Sequence, residues 1–163
     1  MNPKFLYHGS PHHFEILVPQ QAKGANEKES KFAIYACEHF HQVIPFALPI
    51  RWYPDKPSGK RDYSCDWNTG RTVIKYGSID PDGFGYVYKF SSDGFEKIDD
   101  FQWTSCNEVV PIKVTRIAVN DYWHTIKFSN EALEINKLLY PSDTLYSIPP
   151  SQTVENKAEP TIQ

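Results

Sequence analysis

The chain has 163 residues, with 17 Lys and Arg against 20 Asp and Glu, a formal net charge of -3 and 15% aromatic residues. That balance excludes a body that stays unfolded and a chain built around nucleic-acid electrostatics, and the length suits one core. Thirteen prolines against eight glycines argue against long uninterrupted helices.

No apolar run approaches the roughly 20 residues that span a bilayer, so no membrane segment is expected. The start, Met1-Asn2-Pro3-Lys4, lacks the pattern of a secretory leader. Cys37, Cys65 and Cys106 are widely spaced and odd in number, which fits reduced thiols in a cytoplasmic protein better than a disulfide framework or a zinc site.

In chain order, residues 4–8 predict a strand, closed by Gly9-Ser10-Pro11. Residues 19–30 are polar and without periodicity, and read as an exposed loop. Residues 31–37 (KFAIYAC) predict a second strand. Phe40, Val43, Ile44, Ala47 and Leu48 then mark one helical face, weakened by Pro45 and ended by Pro49. Residues 51–71 are irregular, with Trp52, Tyr53, Tyr63 and Trp67 scattered among Lys56, Lys60, Arg61 and Arg71. A segment this long and irregular is usually functional or mobile.

Strands are predicted over 71–76 and 86–90, with a dense turn over 79–85 between them and another turn over 91–94. Residues 95–98 read as a pairing or edge segment and 102–104 as extended. Residues 109–119 alternate with one phase change, which predicts a strand with a bulge. Residues 120–125 read as a turn or short helix. Residues 130–139 (NEALEINKLL) form the cleanest helical pattern, with Asn130 as its N-cap and Pro141 as its stop. Residues 148–163 have the composition of a disordered tail. No internal repeat is present. The expectation is one α+β domain over residues 1–147, with a split, antiparallel-rich sheet and few short helices.

Three short segments carry chemistry. Leu6-Tyr7-His8-Gly9-Ser10 ends a strand in a histidine, which offers a donor and an acceptor, and a glycine, past which a ligand can approach the backbone. Ile34-Tyr35-Ala36-Cys37 ends a strand in a tyrosine beside a small residue, a stacking platform for a planar ring. Asn107-Glu108-Val109-Val110-Pro111 starts an apolar strand with a carboxylate, which can stabilise positive charge developing on a sugar. An alternative for the third segment is Gln102-Trp103-Thr104-Ser105, with Trp103 or Ser105 lining the site.

In this order the segments resemble the ADP-ribosyltransferase superfamily of the His-Tyr-Glu type, which includes poly-ADP-ribose polymerases and diphtheria-toxin-like enzymes. The context is similar to small bacterial or phage-type members, and the resemblance covers residues 4–119. It implies NAD as substrate, bound in a cleft between two small sheets. Gly9 would clamp the carboxamide of nicotinamide, with Ser10 and Ala36 beside it. His8 would meet a ribose hydroxyl and Tyr35 would stack on nicotinamide. Glu108 would be catalytic, with His8 and Tyr35 assisting, and no metal is implied. Cys106, two residues before Glu108, disfavours the arginine-modifying branch. Glu38, His39 and His41 stand where the family carries small or hydroxyl residues.

The implied activity is mono-ADP-ribosyl transfer to a protein or nucleic acid, or NAD hydrolysis. The alternative from another class is a non-catalytic module that binds NAD, ADP-ribose or a protein. A toxin role would bring an antitoxin partner. His12-His13 and the pair His39 and His41 lack acidic companions at metal spacing and read as surface histidines. The basic, aromatic stretch over 51–71 is where acceptor choice would be set.

Overall fold

The computed structural model describes residues 2–22, 30–56 and 58–147. The expected tail and most of the polar loop after residue 22 lie outside them. The strands are β1 (Phe5–Ser10), β2 (Gln20–Gln21), β3 (Phe32–Cys37), β4 (Ile50–Arg51), β5 (Asp62–Cys65) and β6 (Thr72–Tyr76). They continue as β7 (Ser78–Ile79), β8 (Phe84–Ser91), β9 (Glu96–Lys97), β10 (Gln102–Ser105), β11 (Lys113–Ala118) and β12 (Ile126–Phe128). The helices are α1 (Phe40–Ala47), α2 (Val119–Tyr122) and α3 (Asn130–Leu139). This is an α+β fold with antiparallel-rich sheets and short helices. Among the described residues no helix is long and apolar enough to cross a membrane.

The main sheet runs in the order β11-β8-β1-β3-β10-β9, with β2 added beside β3. Alternation along its strands sends side chains to opposite faces. Tyr7, Cys37, Val87 and Ile117 join the core that holds α1, α2, Ile74, Ile79 and Ile126. Leu6, Ile34, Ala36, Tyr88, Phe90 and Trp103 form a second core on the other face, closed by Leu17 and Phe14. The Tyr88 hydroxyl pins that cover, accepting from Phe14 N at 2.6 Å and donating to His12 O at 2.7 Å.

Helix α1 lies directly on the strands, because two glycines leave room for it. A Cβ at Gly9 would stand 2.1 Å from Val43 O, and one at Gly85 would stand 1.7 Å from Ala47 O. Gly9 pairs with Val87, so Gly9 and Gly85 sit diagonally on one face of neighbouring strands. Strand β1 accordingly runs on through Gly9 and Ser10, which pair with Val87 and Tyr86, where the sequence suggested a break. Pro45 is accommodated inside the helix.

The smaller sheets share the α1 core through Ile50, Ile74, Ile79 and Ile126. β5 and β6 form an antiparallel pair, and β12 adds to β6 in parallel. Helix α3 is tied to them by buried Asn136, whose Oδ1 accepts from Ile79 N at 2.9 Å and whose Nδ2 donates to Gly77 O at 3.0 Å. Its cap is Ser129, whose hydroxyl accepts from Ala132 N, one residue before the expected Asn130.

Residues 109–119 divide into three uses. Val109 makes a two-way backbone bridge with Leu17, at 2.9 Å each way. Strand β11 then pairs with β8 from Lys113, and Val119 already begins α2.

Candidate functional site

The cleft opens where the main sheet splits. β1 and β8 pair along all of Phe5–Ser10, but β1 and β3 share only the position Tyr7 with Cys37. Beyond it the strands part, and Gly9 and Tyr35, which would face each other next, stand apart. His8 spans the gap: its Nδ1 lies 2.6 Å from Tyr35 O. A carbonyl can only accept, so Nδ1 carries the hydrogen and Nε2 is left as an acceptor. Burial holds His8 below its ordinary pKa, against an opposing contribution from the bond to Tyr35 O. The ring is neutral near pH 7.

A cavity of about 680 Å³ occupies the split. Its floor is His8, Gly9, Tyr35, Ala36, Cys37 and Gln102, and α1 contributes Val43 and Phe46. The β5 side contributes Trp52, Arg61, Asp62, Tyr63 and Trp67. This wall comes from the irregular stretch over 51–71, which folds back over the cleft. Trp67 holds it there: its ring stacks on Phe101 at 5.8 Å and 10° and meets Phe46 at 5.6 Å, while its carbonyl accepts from Gln42 Nε2. Arg61 sits over Trp52 at 5.1 Å and Tyr63 at 5.6 Å, and donates to Ile50 O at 3.0 Å. The arrangement offers aromatic faces for a planar ring, one cation for an anionic group and a few fixed polar atoms.

The residues singled out from the sequence divide in this way. His8, Gly9, Tyr35 and Ala36 meet at the cleft although Tyr35 lies 27 positions after His8 in sequence. The Tyr35 hydroxyl accepts from Lys31 N at 2.8 Å, which fixes the ring. Ser10 is buried outside the lining, and its Oγ accepts from His12 N at 3.1 Å. Gly9 faces α1 with its Cα hydrogens, so the close approach its missing Cβ permits is that of the helix.

Glu108 is exposed and outside the cleft lining. The cause is long-range. The bridge between Leu17 and Val109 turns Val109 into the core on the far face of the sheet. The alternating residues Glu108 and Val110 are then directed outward. No carboxylate reaches the cleft from the third segment. The strand paired with the Tyr35 strand delivers Gln102 instead, opposite Cys37 in register. Trp103 and Ser105 point to the other face, with Ala36 and Ile34. Asp62 is the carboxylate that lines the cleft among the described residues.

Glu38, His39 and His41 also stay outside the lining; Val43 and Phe46 face the cleft from this stretch. His39 and His41 stack at 5.7 Å, although helical spacing separates them, because His39 is extended before the first turn. Among the described residues no group of His, Cys, Asp and Glu is arranged to hold a metal. Cys37 lies in the cleft floor, and burial pushes its thiol up to about 12, which removes it as a nucleophile at neutral pH.

Sequence gave no direct signal for Gln102 as a lining residue. Only the β3–β10 register selects it from its neighbours. Comparison with protein-family models, with curated proteins and with solved structures returns no match.

Proposed function

We propose that the cleft binds an NAD-class dinucleotide, NAD itself or its ADP-ribose portion, as a recognition module without glycosidic turnover. One observation carries this reading. His8, Gly9, Tyr35 and Ala36, the residues whose pattern resembles the His-Tyr-Glu family, line one cavity, and the amide of Gln102, not a carboxylate, lies with them in its floor. Tyr35 and the aromatic wall give faces for the nicotinamide or adenine ring. Arg61 at the wall suits a pyrophosphate. A neutral His8 and Gln102 supply hydrogen-bond acceptors for hydroxyl or amide donors.

Cleavage of the nicotinamide–ribose bond builds positive charge on the sugar, and a carboxylate close to the ring stabilises it. A neutral amide does so far less well, and Glu108 lies outside the cavity. The reading of an ADP-ribosyltransferase or NAD glycohydrolase therefore rests on Asp62, which lines the opposite wall. We keep it as the second reading on that observation alone.

The test is a thermal melt with NAD or ADP-ribose, run beside an assay of nicotinamide release. The recognition reading expects a saturable rise in Tm with no nicotinamide above the blank. Nicotinamide release that disappears in Asp62→Asn would establish the second reading. Absence of any Tm rise with either ligand would defeat both.

A further inference from the structure

Asp99 stands just outside the cleft and holds three donors. Its Oδ1 accepts from Phe101 N at 2.8 Å and from Gln102 N at 2.7 Å, and its Oδ2 accepts from Gln102 Nε2 at 2.9 Å. The first two bonds make a turn that any Asp or Asn could close. The third does something more specific. A side-chain amide has a donor end and an acceptor end, and an ionised carboxylate accepts only. With one Nε2 hydrogen committed to Asp99, the amide is held in one orientation, its oxygen turned away from that carboxylate, and Oε1 is the acceptor it offers elsewhere. Among the described residues nothing donates to that oxygen, and it is not a sealed, unsatisfied atom. Gln102 lines the cavity, so the cleft is where this acceptor is available.

The geometry points to Asp99 as a positioning residue that fixes the orientation of the Gln102 amide and so makes this corner of the cleft select a ligand N–H or O–H donor. The inference rests on the reading of the cleft as a ligand site. It also explains why position 102 suits an amide. A glutamate there would face the Asp99 carboxylate at hydrogen-bond distance, and one of the two would have to keep a proton.

Three variants test the inference: Asp99→Asn, Gln102→Glu and the double variant carrying both. In Asp99→Asn the Asn oxygen still accepts from Phe101 N and Gln102 N, so Tm should stay within a few degrees of the parent. Its amide nitrogen now faces Gln102, which turns over and shows Nε2 to the cleft. NAD binding by calorimetry should weaken by about tenfold or more, because two donors then meet. In the double variant the Asn amide donates to the new carboxylate, whose other oxygen is again an acceptor in the cleft, so NAD binding should recover relative to Asp99→Asn. The Gln102→Glu variant alone should bind NAD with a pH dependence beyond the one that His8 gives the parent.

A second readout needs no ligand. The side-chain NH₂ resonances of Gln102 should shift on Asp99→Asn by more than those of the exposed side-chain amide of Gln21. The inference is overturned if those resonances do not move. It is equally overturned if Asp99→Asn binds NAD within twofold of the parent. It also fails if the double variant is as weak as Asp99→Asn. Should the parent bind neither NAD nor ADP-ribose, the reading of ligand class falls, while the resonance shift still decides whether Asp99 orients Gln102.

Discussion

Replacement of Gly9 by alanine separates two accounts of why a glycine follows His8. If the glycine serves ligand approach, an added methyl group would obstruct the ligand and leave the fold intact. The structure assigns the space to α1: the new Cβ would stand 2.1 Å from Val43 O and 3.0 Å from Ala47 N, both backbone atoms. Carbon atoms do not tolerate a carbonyl oxygen closer than about 3 Å, so the helix must lift by roughly 1 Å. Val43, Ile44 and Ala47 are buried in the larger core and would move with it. Overpacking of this kind costs about 1–3 kcal/mol. In a chain of this size each kcal/mol lowers Tm by roughly 2–4 °C, so a fall of about 2–12 °C is expected. Gly85→Ala should fall at least as far, because its Cβ would stand 1.7 Å from Ala47 O. Calorimetric melting of both variants in the absence of ligand is the assay. A Gly9→Ala protein that melts within 1 °C of the parent would refute the reasoning and return Gly9 to the ligand.

His8 is held neutral by burial, with its folded pKa below the ordinary 6.5. Between that value and 6.5 the unfolded chain binds the extra proton, so stability is full above 6.5 and declines as pH falls below it. In His8→Gln, which can still donate to Tyr35 O, the pH dependence of the denaturation midpoint in that window should be shallower; an unchanged slope would contradict the burial. Trp67→Ala removes the ring that stacks on Phe101 and meets Phe46 at a tilt, and should cost about 1–3 kcal/mol and weaken NAD binding together. Loss of stability with unaltered binding would show that the aromatic wall does not contact the ligand. A maleimide should label exposed Cys106 readily and leave Cys37, buried and raised to about 12, unmodified until denaturant is added. Peptide mapping that finds Cys37 modified first would contradict this.

Much of the fold was legible because it follows from local pattern. The α1 face was readable from the spacing of Phe40, Val43, Ile44 and Ala47, and α3 from its apolar stripe and the following Pro141. β8 showed its alternation, and turns fell where glycine, proline and aspartate gather. What escaped depends on partners distant in sequence. β12 is only Ile126–Phe128 and is a strand by virtue of β6, which it joins in parallel. Gly9 and Ser10 look like a break because glycine punctuates most chains, yet here β8 extends them and α1 requires the glycine.

The candidate site divides in the same way. His8, Gly9, Tyr35 and Ala36 could be singled out because His8 and Tyr35 each precede a small residue near the end of an apolar, strand-like run. Glu108 and Gln102 lie six residues apart, and nothing local to either says which faces the cleft. The decision is made by Leu17, which captures Val109 from 92 positions away, and by the pairing of Gln102 with Cys37. The stretch over 51–71 could be read as a specificity region, but its position as the aromatic wall depends on the docking of Trp67 onto Phe46 and Phe101.

The most direct test of the central claim is titration of the protein with NAD and ADP-ribose by calorimetry, in parallel with Tyr35→Ala and Glu108→Ala. The account predicts saturable binding of at least one of the two ligands. That binding should be lost or weakened at least tenfold in Tyr35→Ala, whose ring lines the cleft, and unchanged in Glu108→Ala, whose carboxylate is exposed outside it. Absence of binding in the parent, or binding that depends on Glu108 and not on Tyr35, would contradict it.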